Sequence, residues 1–442
     1  MFGKLLTDRW LYLLICVACL LVFAPVVFFD FQSGWDDGWA VKNSYTILGF
    51  TPTNLKYVFT NFHYGQYSPI SQVIYMGIYS VFGFNPAVFH LYPLLLHIAN
   101  SCLVLLFIRR ISSKFACIDT ARKVAFLTAL LFAIHPLQVE SVAWISASKI
   151  PLYTLFTLLA MITYIKYVET GKIRYYTGVY VLFICSYGCK EQTIVFPFIL
   201  ALLDIILSRS ALVFGEKTGF QTAGRQSWGF LLLEKLPFLL FALFAGLLMY
   251  VHQNETAKEV WTGYPFSQRL VFACYSLADY FGKTVFPVNL LYLYPFPMKP
   301  GQELPVHFLI YPVLVLGLLA FLIKAIKRTH WQAVFGLLFF LINLILVLHV
   351  IAMSRAAIVA DRYVYLAAVG LFFMAAWYSV TWFQKQKAGV RKWATVAALC
   401  YLLYLGGYAH YRTYAWKDSE TLKKELRELI DDDLLKQNSY DL

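Results

Sequence analysis

Apolar runs separated by short charged segments fill most of this sequence. A helix that crosses a bilayer needs roughly 20 mostly apolar residues, and runs near this length recur from the first residues to beyond residue 400. Of the 442 residues, 60% are hydrophobic and 14% are charged, which is unlike an ordinary soluble domain. The sequence therefore predicts an all-α polytopic membrane protein.

Hydropathy predicts about eleven spans. The first run is long enough to span and lacks a small-residue cleavage site, so it is interpreted as a retained helix. The run at 271–291 is interrupted by Asp279, Lys283 and Pro287, which favours an interfacial or re-entrant segment. The predicted spans lie near residues 10–29, 87–108, 124–141, 150–168, 175–189, 193–208, 236–252, 306–323, 331–352, 363–383 and 393–408.

Lysine and arginine are distributed unevenly between alternate loops. With a cytoplasmic N-terminus, the inner loops carry roughly twice as many basic residues as the outer loops, as the positive-inside rule requires. This bias explains the net charge of +13 without a nucleic-acid partner, since no basic stripe or aromatic platform accompanies it. An odd number of spans then predicts a non-cytoplasmic C-terminus.

The predicted topology divides the chain into a membrane domain, 1–409, and an outer tail, 410–442. Two long outer loops, 30–86 and 253–305, are each predicted to carry an interfacial helix. The tail has Leu or Ile every four residues within a charged stretch, so it is predicted to form an amphipathic helix on the outer face.

The polar residues that could carry chemistry fall mostly at the outer ends of the spans, where charges are costly and are candidates for function. Asp36 and Asp37 could share a cation such as Mg²⁺ or Mn²⁺, or one could act as a base. It is equally consistent with the sequence that both carboxylates are solvated in a loop and have no chemical role. Lys190 and Glu191 could be a simple interfacial ion pair.

Two further clusters lie at outer span ends. His135 and Glu140 are five residues apart and need not share a helix face, and a lone histidine there is more often structural. Arg355 and Arg362 suit recognition of a lipid-linked phosphate, although Arg362 could instead pair with Asp361.

The sequence contains no P-loop, no dinucleotide-type glycine-rich loop, no HExxH and no GxSxG motif. Phosphoryl transfer from soluble nucleotides and hydrolase chemistry are therefore disfavoured. Since soluble nucleotide sugars are not supplied outside the cytoplasm, an activated group would arrive there on a lipid carrier.

Several segments occur in the order of a known family. They are Trp35-Asp36-Asp37, His90 and His97, His135-Pro136-Leu137-Gln138-Val139-Glu140-Ser141, Lys190-Glu191, Phe286-Pro287-Val288-Asn289-Leu290, Asp361-Arg362-Tyr363-Val364-Tyr365-Leu366 and Trp416-Lys417-Asp418. On the basis of these segments, nearly the whole chain resembles the membrane part of the transmembrane and tetratricopeptide repeat-containing O-mannosyltransferases. That family belongs to the GT-C glycosyltransferase superfamily.

The resemblance implies an inverting glycosyltransferase that uses a polyprenyl-phosphate-linked sugar, typically mannose. Asp36 or Asp37 would deprotonate the acceptor hydroxyl, or orient it with a metal, while the lipid phosphate leaves. Lys190, Arg355 and Arg362 would stabilise that phosphate. The remaining implied residues are Tyr363 and Tyr365 on the donor side and His97, His135, Glu140 and Glu191 along the cavity or the acceptor.

Two features depart from the family pattern. The family usually continues into tetratricopeptide repeats, whereas this sequence stops at Leu442. Tyr67-Ser68-Pro69 stands where the family often has an arginine before the proline. The acceptor could therefore be a protein, a glycolipid or a polysaccharide, and the donor sugar could differ.

A lipid-linked sugar flippase or transporter is the alternative function. It is disfavoured because the charges lie at outer span ends and no repeat of the span pattern is evident. The predicted location is a bacterial inner membrane with the site in the periplasm, or otherwise an endoplasmic reticulum membrane with the site in the lumen.

Overall fold

The computed structural model describes residues 9–62, 66–209, 226–256, 264–350 and 357–429. Within these ranges the regular elements are helices, and an isolated antiparallel bridge joins Tyr294 and Val359. The all-α class predicted from the sequence is confirmed.

The helices differ widely in length. In chain order the α-helices are α1 (Arg9–Phe23), α2 (Asp37–Ala40), α3 (Ser44–Ile47), α4 (Pro52–Thr60), α5 (Pro69–Phe82), α6 (Pro86–Ser112), α7 (Ile118–Ile134), α8 (Val139–Ala143), α9 (Lys149–Thr170), α10 (Ile173–Tyr187), α11 (Phe196–Ile206), α12 (Trp228–Thr256), α13 (Phe266–Val285), α14 (Ile310–Lys327), α15 (Trp331–Leu344), α16 (Ala368–Gln384), α17 (Ala388–Thr413) and α18 (Ser419–Leu429). Short 3₁₀ turns lie at Ala24–Phe28, Pro136–Gln138, Ile145–Ser148, Glu191–Val195, Val306–Leu309, Asp361–Val364 and Tyr414–Trp416.

Five described helical segments are long and apolar enough to cross a bilayer. They are Arg9–Phe28, Pro86–Ser112, Ile145–Thr170, Trp228–His252 and Val306–Lys327. A sixth is present if Ile118–Ile134 and Pro136–Ala143, which meet at 55°, form one broken span. The chain is a multi-pass integral membrane protein, but the count of eleven spans is not confirmed.

Several predicted spans form helices too short to cross a bilayer alone. The predicted span 175–189 is the 15-residue α10, and 331–352 is helical as the 14-residue α15. The predicted span 193–208 begins as a 3₁₀ turn and continues as the 11-residue α11. Average hydropathy misses such breaks because local hydrogen bonding, and not apolar content, ends a helix.

The run at 271–291 forms most of α13, which ends at Val285, two residues before Pro287. This helix is not among the candidate spans of the described ranges. Its placement at the membrane interface stays a prediction.

Helices α15 and α16 approach each other closely at Gly336 and Gly370. A Cβ atom on Gly336 would lie 2.6 Å from the carbonyl oxygen of Gly370, which no side chain could tolerate. Small residues allow membrane helices to approach in this way. The contact fixes α16, and with it the turn Asp361–Val364 just before it.

A buried ionic cluster joins α9, α11 and α12. Arg209 donates to Glu234 at 2.8 and 2.9 Å and to Asp204 at 3.1 Å, and Lys235 donates to both carboxylates. The Tyr164 hydroxyl on α9 donates to Asp204 at 2.5 Å. Because each carboxylate has cationic partners, the charges tolerate burial. We call these five residues the ionic cluster.

The C-terminal helix α18 packs on the protein. Leu422 and Leu426 on its apolar face are 2% and 1% exposed. The segment after the first candidate span bonds to the chain around α18: the Gln32 side chain donates to the Trp416 carbonyl oxygen at 2.7 Å, and the Gly34 N–H donates to the Ser419 hydroxyl at 3.1 Å. The predicted amphipathic helix is therefore present, but its apolar face covers protein; residues 430–442 lie outside the described ranges.

Candidate active site

Several 3₁₀ turns interrupt the helices at one end of the bundle. The turn Asp361–Val364 contacts Pro136–Gln138 and α8, while the turn Ile145–Ser148 contacts α2. Pro136 begins one of these turns, since proline has no N–H to continue the helix. The turns bring polar residues from distant parts of the chain to one place.

Asp37 is completely buried and holds the segment after α1 in place. Its carboxylate accepts hydrogen bonds from the backbone N–H of Gln32 at 2.9 Å and from the N–H and hydroxyl of Ser146 at 2.9 and 2.5 Å. Burial raises the pKa of Asp37, although these three donors oppose the shift. The carboxylate thus ties this segment to the turn Ile145–Ser148.

Asp36 has different surroundings. It is partly exposed, and its Oδ1 accepts a hydrogen bond from the Trp39 indole at 3.1 Å. Its charge acts on Lys149 and on Arg362. Asp36 is therefore the carboxylate of the pair that a substrate could contact.

The two aspartates do not fit the predicted shared cation. Asp37 already accepts three hydrogen bonds from protein donors, so it is poorly placed to share a ligand with Asp36. Among the residues that the structure describes, no group of three or more His, Cys, Asp or Glu could hold a metal ion. A divalent cation stays a prediction, and the mechanism proposed below uses none.

Glu140 orients Arg362. The Arg362 backbone N–H donates to Glu140 Oε2 at 2.7 Å, and the Arg362 guanidinium donates to Glu140 Oε1. The guanidinium also lies 5.2 Å from the Trp144 ring centre and 5.0 Å from that of Tyr363. Glu140, and not the adjacent Asp361, is the carboxylate that pairs with Arg362.

Asp361 belongs to a neighbouring polar group. It accepts a hydrogen bond from the Tyr294 hydroxyl at 2.9 Å, and burial raises its pKa to about 7 although the nearby Lys283 opposes the shift. Lys283 itself lies 2.7 Å from Asp279 and 3.4 Å from the centre of the Tyr294 ring.

Lys149 is a site residue that sequence reasoning missed. Its ammonium group donates to Gln66, and the charges of Lys190, Glu191, Asp36 and Arg362 act on it. A lysine standing alone at the edge of an apolar run is the signal that could have identified it. Lys149 lies where the predicted phosphate-binding cations meet.

Lys190 is buried and donates to Glu191 at 2.5 Å. Burial alone would raise the pKa of Glu191, but the Lys190 ammonium outweighs it and holds that pKa below its usual value. The predicted ion pair is thus present. Lys190, Lys149 and Arg362 thus belong to one electrostatic group, which also contains three carboxylates, those of Glu191, Glu140 and Asp36. Arg355 lies outside the described residues.

Three other predicted residues lie in the packed interior. The ring of His97 bonds to the Tyr365 hydroxyl at 2.8 Å, and both side chains are completely buried. The Nδ1 atom of His135, also buried, accepts from the Leu137 N–H at 3.3 Å and caps the turn Pro136–Gln138. These contacts join α6 to the segment before α16 and stabilise a helix break, while contact with substrate stays a prediction.

A cavity open to solvent lies beside this group, with about 610 Å³ of empty space when the adjoining solvent is included. Trp39, Ser146 and Lys149 form part of its wall. The cavity is therefore in contact with Lys149 and with Trp39, whose indole donates to Asp36. The open carboxylate, the cations and the cavity together have the composition of an active site.

Comparison with known proteins gives relatives over part of the chain. No family model matches the sequence. The chain is 31% identical over 199 residues to human protein O-mannosyl-transferase TMTC1, covering 43% of this chain and 20% of that protein. It is 28% identical over 227 residues to human protein O-mannosyl-transferase TMTC4, covering 46% of this chain and 30% of that protein. The matches thus span less than a third of the length of these relatives.

One solved structure is similar at low identity. It is the archaeal oligosaccharyltransferase AglB from Archaeoglobus fulgidus, in complex with an inhibitory peptide and a dolichol-phosphate. The TM-score is 0.47 at 13% identity, over 93% of this chain and 56% of that one. At the level of sequence, the predicted resemblance is confirmed: over part of its length, this chain is similar to the protein O-mannosyl-transferases.

Proposed function

We propose that this chain is a membrane glycosyltransferase of the GT-C type, which transfers mannose or a related hexose from a polyprenyl phosphate to an acceptor hydroxyl. The observation that carries the proposal is that the charges of Lys190, Arg362 and Asp36 all act on Lys149, which lines the cavity. Sequence similarity to protein O-mannosyl-transferases supports the reaction class.

The cations would bind the donor phosphate. When the bond between sugar and phosphate breaks, the phosphate oxygens gain negative charge, and positioned cations lower the energy of that transition state. Glu140 holds one edge of the Arg362 guanidinium, so the remaining N–H donors can be directed to phosphate oxygens. Arg362 is therefore oriented before the donor arrives.

Asp36 would act as the general base. It takes the proton of the acceptor hydroxyl, whose oxygen attacks the anomeric carbon from the side opposite the phosphate. The bond from that carbon to the phosphate oxygen breaks, and the lipid phosphate leaves with the electron pair, so the anomeric configuration inverts. Asp37 would position this segment of chain, since its oxygens are already engaged by Gln32 and Ser146.

The site would face away from the cytoplasm. The excess of basic residues in the alternate loops supports an N-terminus in the cytoplasm and a site on the opposite face. A polyprenyl-linked donor suits this face because the lipid carries the activated sugar there. We place the protein in a bacterial inner membrane with a periplasmic site, and the endoplasmic reticulum is the alternative.

The test is sugar transfer by purified protein in liposomes that contain polyprenyl-phosphate mannose and candidate acceptors. General bases contribute about 10²- to 10⁴-fold, so we expect Asp36→Asn to lower kcat by about that factor with an unchanged melting temperature. Glu428→Gln, at an exposed position of α18, is the matched control and should retain full activity. Full activity of Asp36→Asn would exclude Asp36 as the base.

The same liposomes test the alternative function. A flippase would move the lipid-linked sugar to the other leaflet without forming a glycosylated product. Movement of donor at equal rates in the wild type and in Asp36→Asn, without product, would contradict the proposed transferase.

A further inference from the structure

We propose that the cavity beside Lys149 binds a hexopyranose unit of the acceptor, so that the acceptor is a carbohydrate chain. This inference rests on the proposed glycosyltransferase function and names its acceptor class. Two kinds of acceptor could supply this unit, a soluble oligosaccharide or a glycolipid. Both carry a pyranose ring with neighbouring hydroxyl groups.

Aromatic side chains form a large part of the cavity wall. They are Trp39, Tyr45, Tyr57, Phe62 and Tyr75. Tyr45 and Tyr57 stack with their ring centres 4.8 Å apart, and their hydroxyls are 2.9 Å apart, so this part of the wall is preformed. A pyranose ring carries C–H groups on one face, and these pack on the negative face of an aromatic ring.

The polar part of the wall suits hydroxyl groups. The amides of Asn61, Gln66 and Gln72 line the cavity. The Gln72 amide is already bonded to Asn43 and Thr46. Gln66 uses its oxygen to accept from Lys149, and Asn61 uses its NH₂ group to donate to Tyr57 and Thr60, which leaves the NH₂ group of Gln66 and the oxygen of Asn61 to bond neighbouring hydroxyls. The hydroxyl of Ser71, which also lines it, is 2% exposed and has no hydrogen-bond partner in the described part of the protein. This hydroxyl is therefore a group to which a hydroxyl of a bound ligand can form a hydrogen bond.

The charge of the wall disfavours a basic peptide. Among the lining residues that the structure describes, Lys149 is charged and none is a carboxylate. The described ranges also contain no strand whose edge an extended peptide could join, which is a common way to bind peptide backbone. A neutral, polyhydroxylated acceptor fits the wall better than a polypeptide.

The cavity is placed where an acceptor must lie. Its wall includes Trp39, whose indole donates to Asp36 at 3.1 Å, and Lys149, on which the charges of Lys190 and Arg362 act. A sugar in the cavity would thus lie next to Trp39, which bonds to the proposed base, and next to Lys149 of the proposed phosphate site. One of its hydroxyls can then lose a proton to Asp36 and attack the donor.

The first experiment measures binding in the absence of donor. Full-length purified protein is titrated calorimetrically with mannotriose and, separately, with a serine- and threonine-containing peptide. Tyr57 is 44% exposed and stacks in the wall, so Tyr57→Ala should weaken mannotriose binding about tenfold. Tyr411→Ala removes a tyrosine that is 69% exposed and outside the cavity, and should change nothing.

Three results would overturn the inference. They are absence of mannotriose binding to the wild type, equal binding by the wild type and Tyr57→Ala, or peptide binding that Tyr57→Ala abolishes. Ser71→Ala gives a second check, since loss of its hydroxyl should weaken mannotriose binding while leaving the melting temperature unchanged.

The second experiment adds polyprenyl-phosphate mannose and separates this inference from the proposed function. Product is sought on mannotriose in the aqueous phase and on diglucosyl diacylglycerol in phosphatidylcholine vesicles, which distinguishes the two acceptor sources. Transfer to either one supports the inference. Transfer to the peptide alone overturns the carbohydrate acceptor and leaves the glycosyltransferase function intact. If mannotriose binds in a way that depends on Tyr57 but no product forms with any acceptor, the glycosyltransferase function is overturned and the sugar-binding site remains.

Discussion

Asp36 and Asp37 are adjacent in the chain, yet their surroundings give them different roles. Asp37 is completely buried with three donors, while Asp36 is partly exposed and accepts one bond from Trp39. A buried acceptor with several donors fixes the backbone, whereas a partly exposed carboxylate can exchange a proton with a ligand. The roles of neighbours in sequence are therefore separable by mutation.

Ser146→Ala tests the positioning role of Asp37. The substitution removes the 2.5 Å hydroxyl donor and leaves a buried carboxylate less satisfied, which costs about 1–3 kcal/mol. We expect a lower melting temperature and a lower kcat, while Asp36, the proposed base, keeps its hydrogen bond from Trp39. Ser113→Ala, at an exposed serine that bonds to Arg109, is the control. Equal losses in both variants would contradict the role of Asp37.

Asp361 makes stability depend on pH. Burial raises its pKa to about 7, above the value of 3.8 for a free aspartate, and Lys283, Glu140, Asp279 and Tyr294 also act on it. The folded state therefore holds this proton more tightly than the unfolded state. The resulting stabilisation is complete below about pH 4 and is lost as the pH rises through about 7.

Asp361→Asn should remove this contribution, since an amide does not titrate. We expect the melting temperature of the wild type to fall between pH 5 and pH 8 more steeply than that of Asp361→Asn. Titration of one proton can change the free energy of unfolding by at most about 1.4 kcal/mol per pH unit. If the melting temperatures of the two proteins depend on pH in the same way, Asp361 does not titrate in this range.

The sequence predicts most charged residues of the site and the pair of Lys190 with Glu191, but not the partners that come from distant parts of the chain. Asp36, Glu140, Lys190 and Arg362 were all predicted, because charges at span ends are rare. Glu140 and Arg362 are 222 residues apart in the chain, and only the fold pairs them. Lys149 was missed because a single lysine in an apolar sequence resembles an interfacial anchor.

At the scale of elements, α18 supports the segment that carries the acid pair. Trp416, just before α18, stacks on Trp144 with ring centres 5.3 Å apart, and Trp144 in turn lies beside Arg362. Tyr292 contacts both Trp416 and Trp35. The C-terminal helix is thus joined to Arg362 and to the residue before Asp36 by aromatic contacts.

Leu422→Ala tests this support. Removal of a buried leucine side chain costs about 2–5 kcal/mol, which should loosen α18 and the segment bonded to it. We expect kcat to fall, since α18 is joined to Arg362 through Trp416 and Trp144. Lys424→Ala, on the exposed side of the same helix, is the control. Unchanged kcat in Leu422→Ala would show that α18 does not support the site.

The membrane-spanning helices could be predicted from the sequence where a long apolar run alone determines the helix. The predicted spans 87–108, 150–168, 236–252 and 306–323 lie within candidate spans of the structure, and 10–29 exceeds the candidate Arg9–Phe28 by one residue. The helix breaks were not predictable, because Pro136–Gln138 and Glu191–Val195 are short turns fixed by side-chain and backbone hydrogen bonds. The site is built from these breaks, so hydropathy alone could not assemble it.

At the scale of the whole molecule, the ionic cluster and the candidate site lie at different levels of α9. Lys149 begins this helix, and Tyr164 follows 15 residues later, which corresponds to roughly 22 Å along the axis at 1.5 Å per residue. The cluster joins α9 to α11 and α12 without touching the site. Its contribution to stability can therefore be separated from catalysis.

Arg209→Ala should destabilise the protein while sparing the site. It leaves Glu234 and Asp204 buried with fewer cationic partners, and breaking such a pair typically costs about 3–5 kcal/mol. Arg122→Ala breaks an exposed pair with Asp119 and should cost about 1 kcal/mol or less. Thermal unfolding should separate the two variants, and the KM of surviving Arg209→Ala enzyme should match the wild type. Equal melting temperatures would contradict a stabilising cluster.

The bonds between Gln32 and Trp416 join residues 384 positions apart. A ribosome that adds about 5–20 residues per second makes the second partner roughly 20–80 s after the first. During this interval the segment with Asp36 has been made, but the part of the chain that holds it has not. The proposed site thus stays incomplete until Trp416 has been made and has bonded to Gln32.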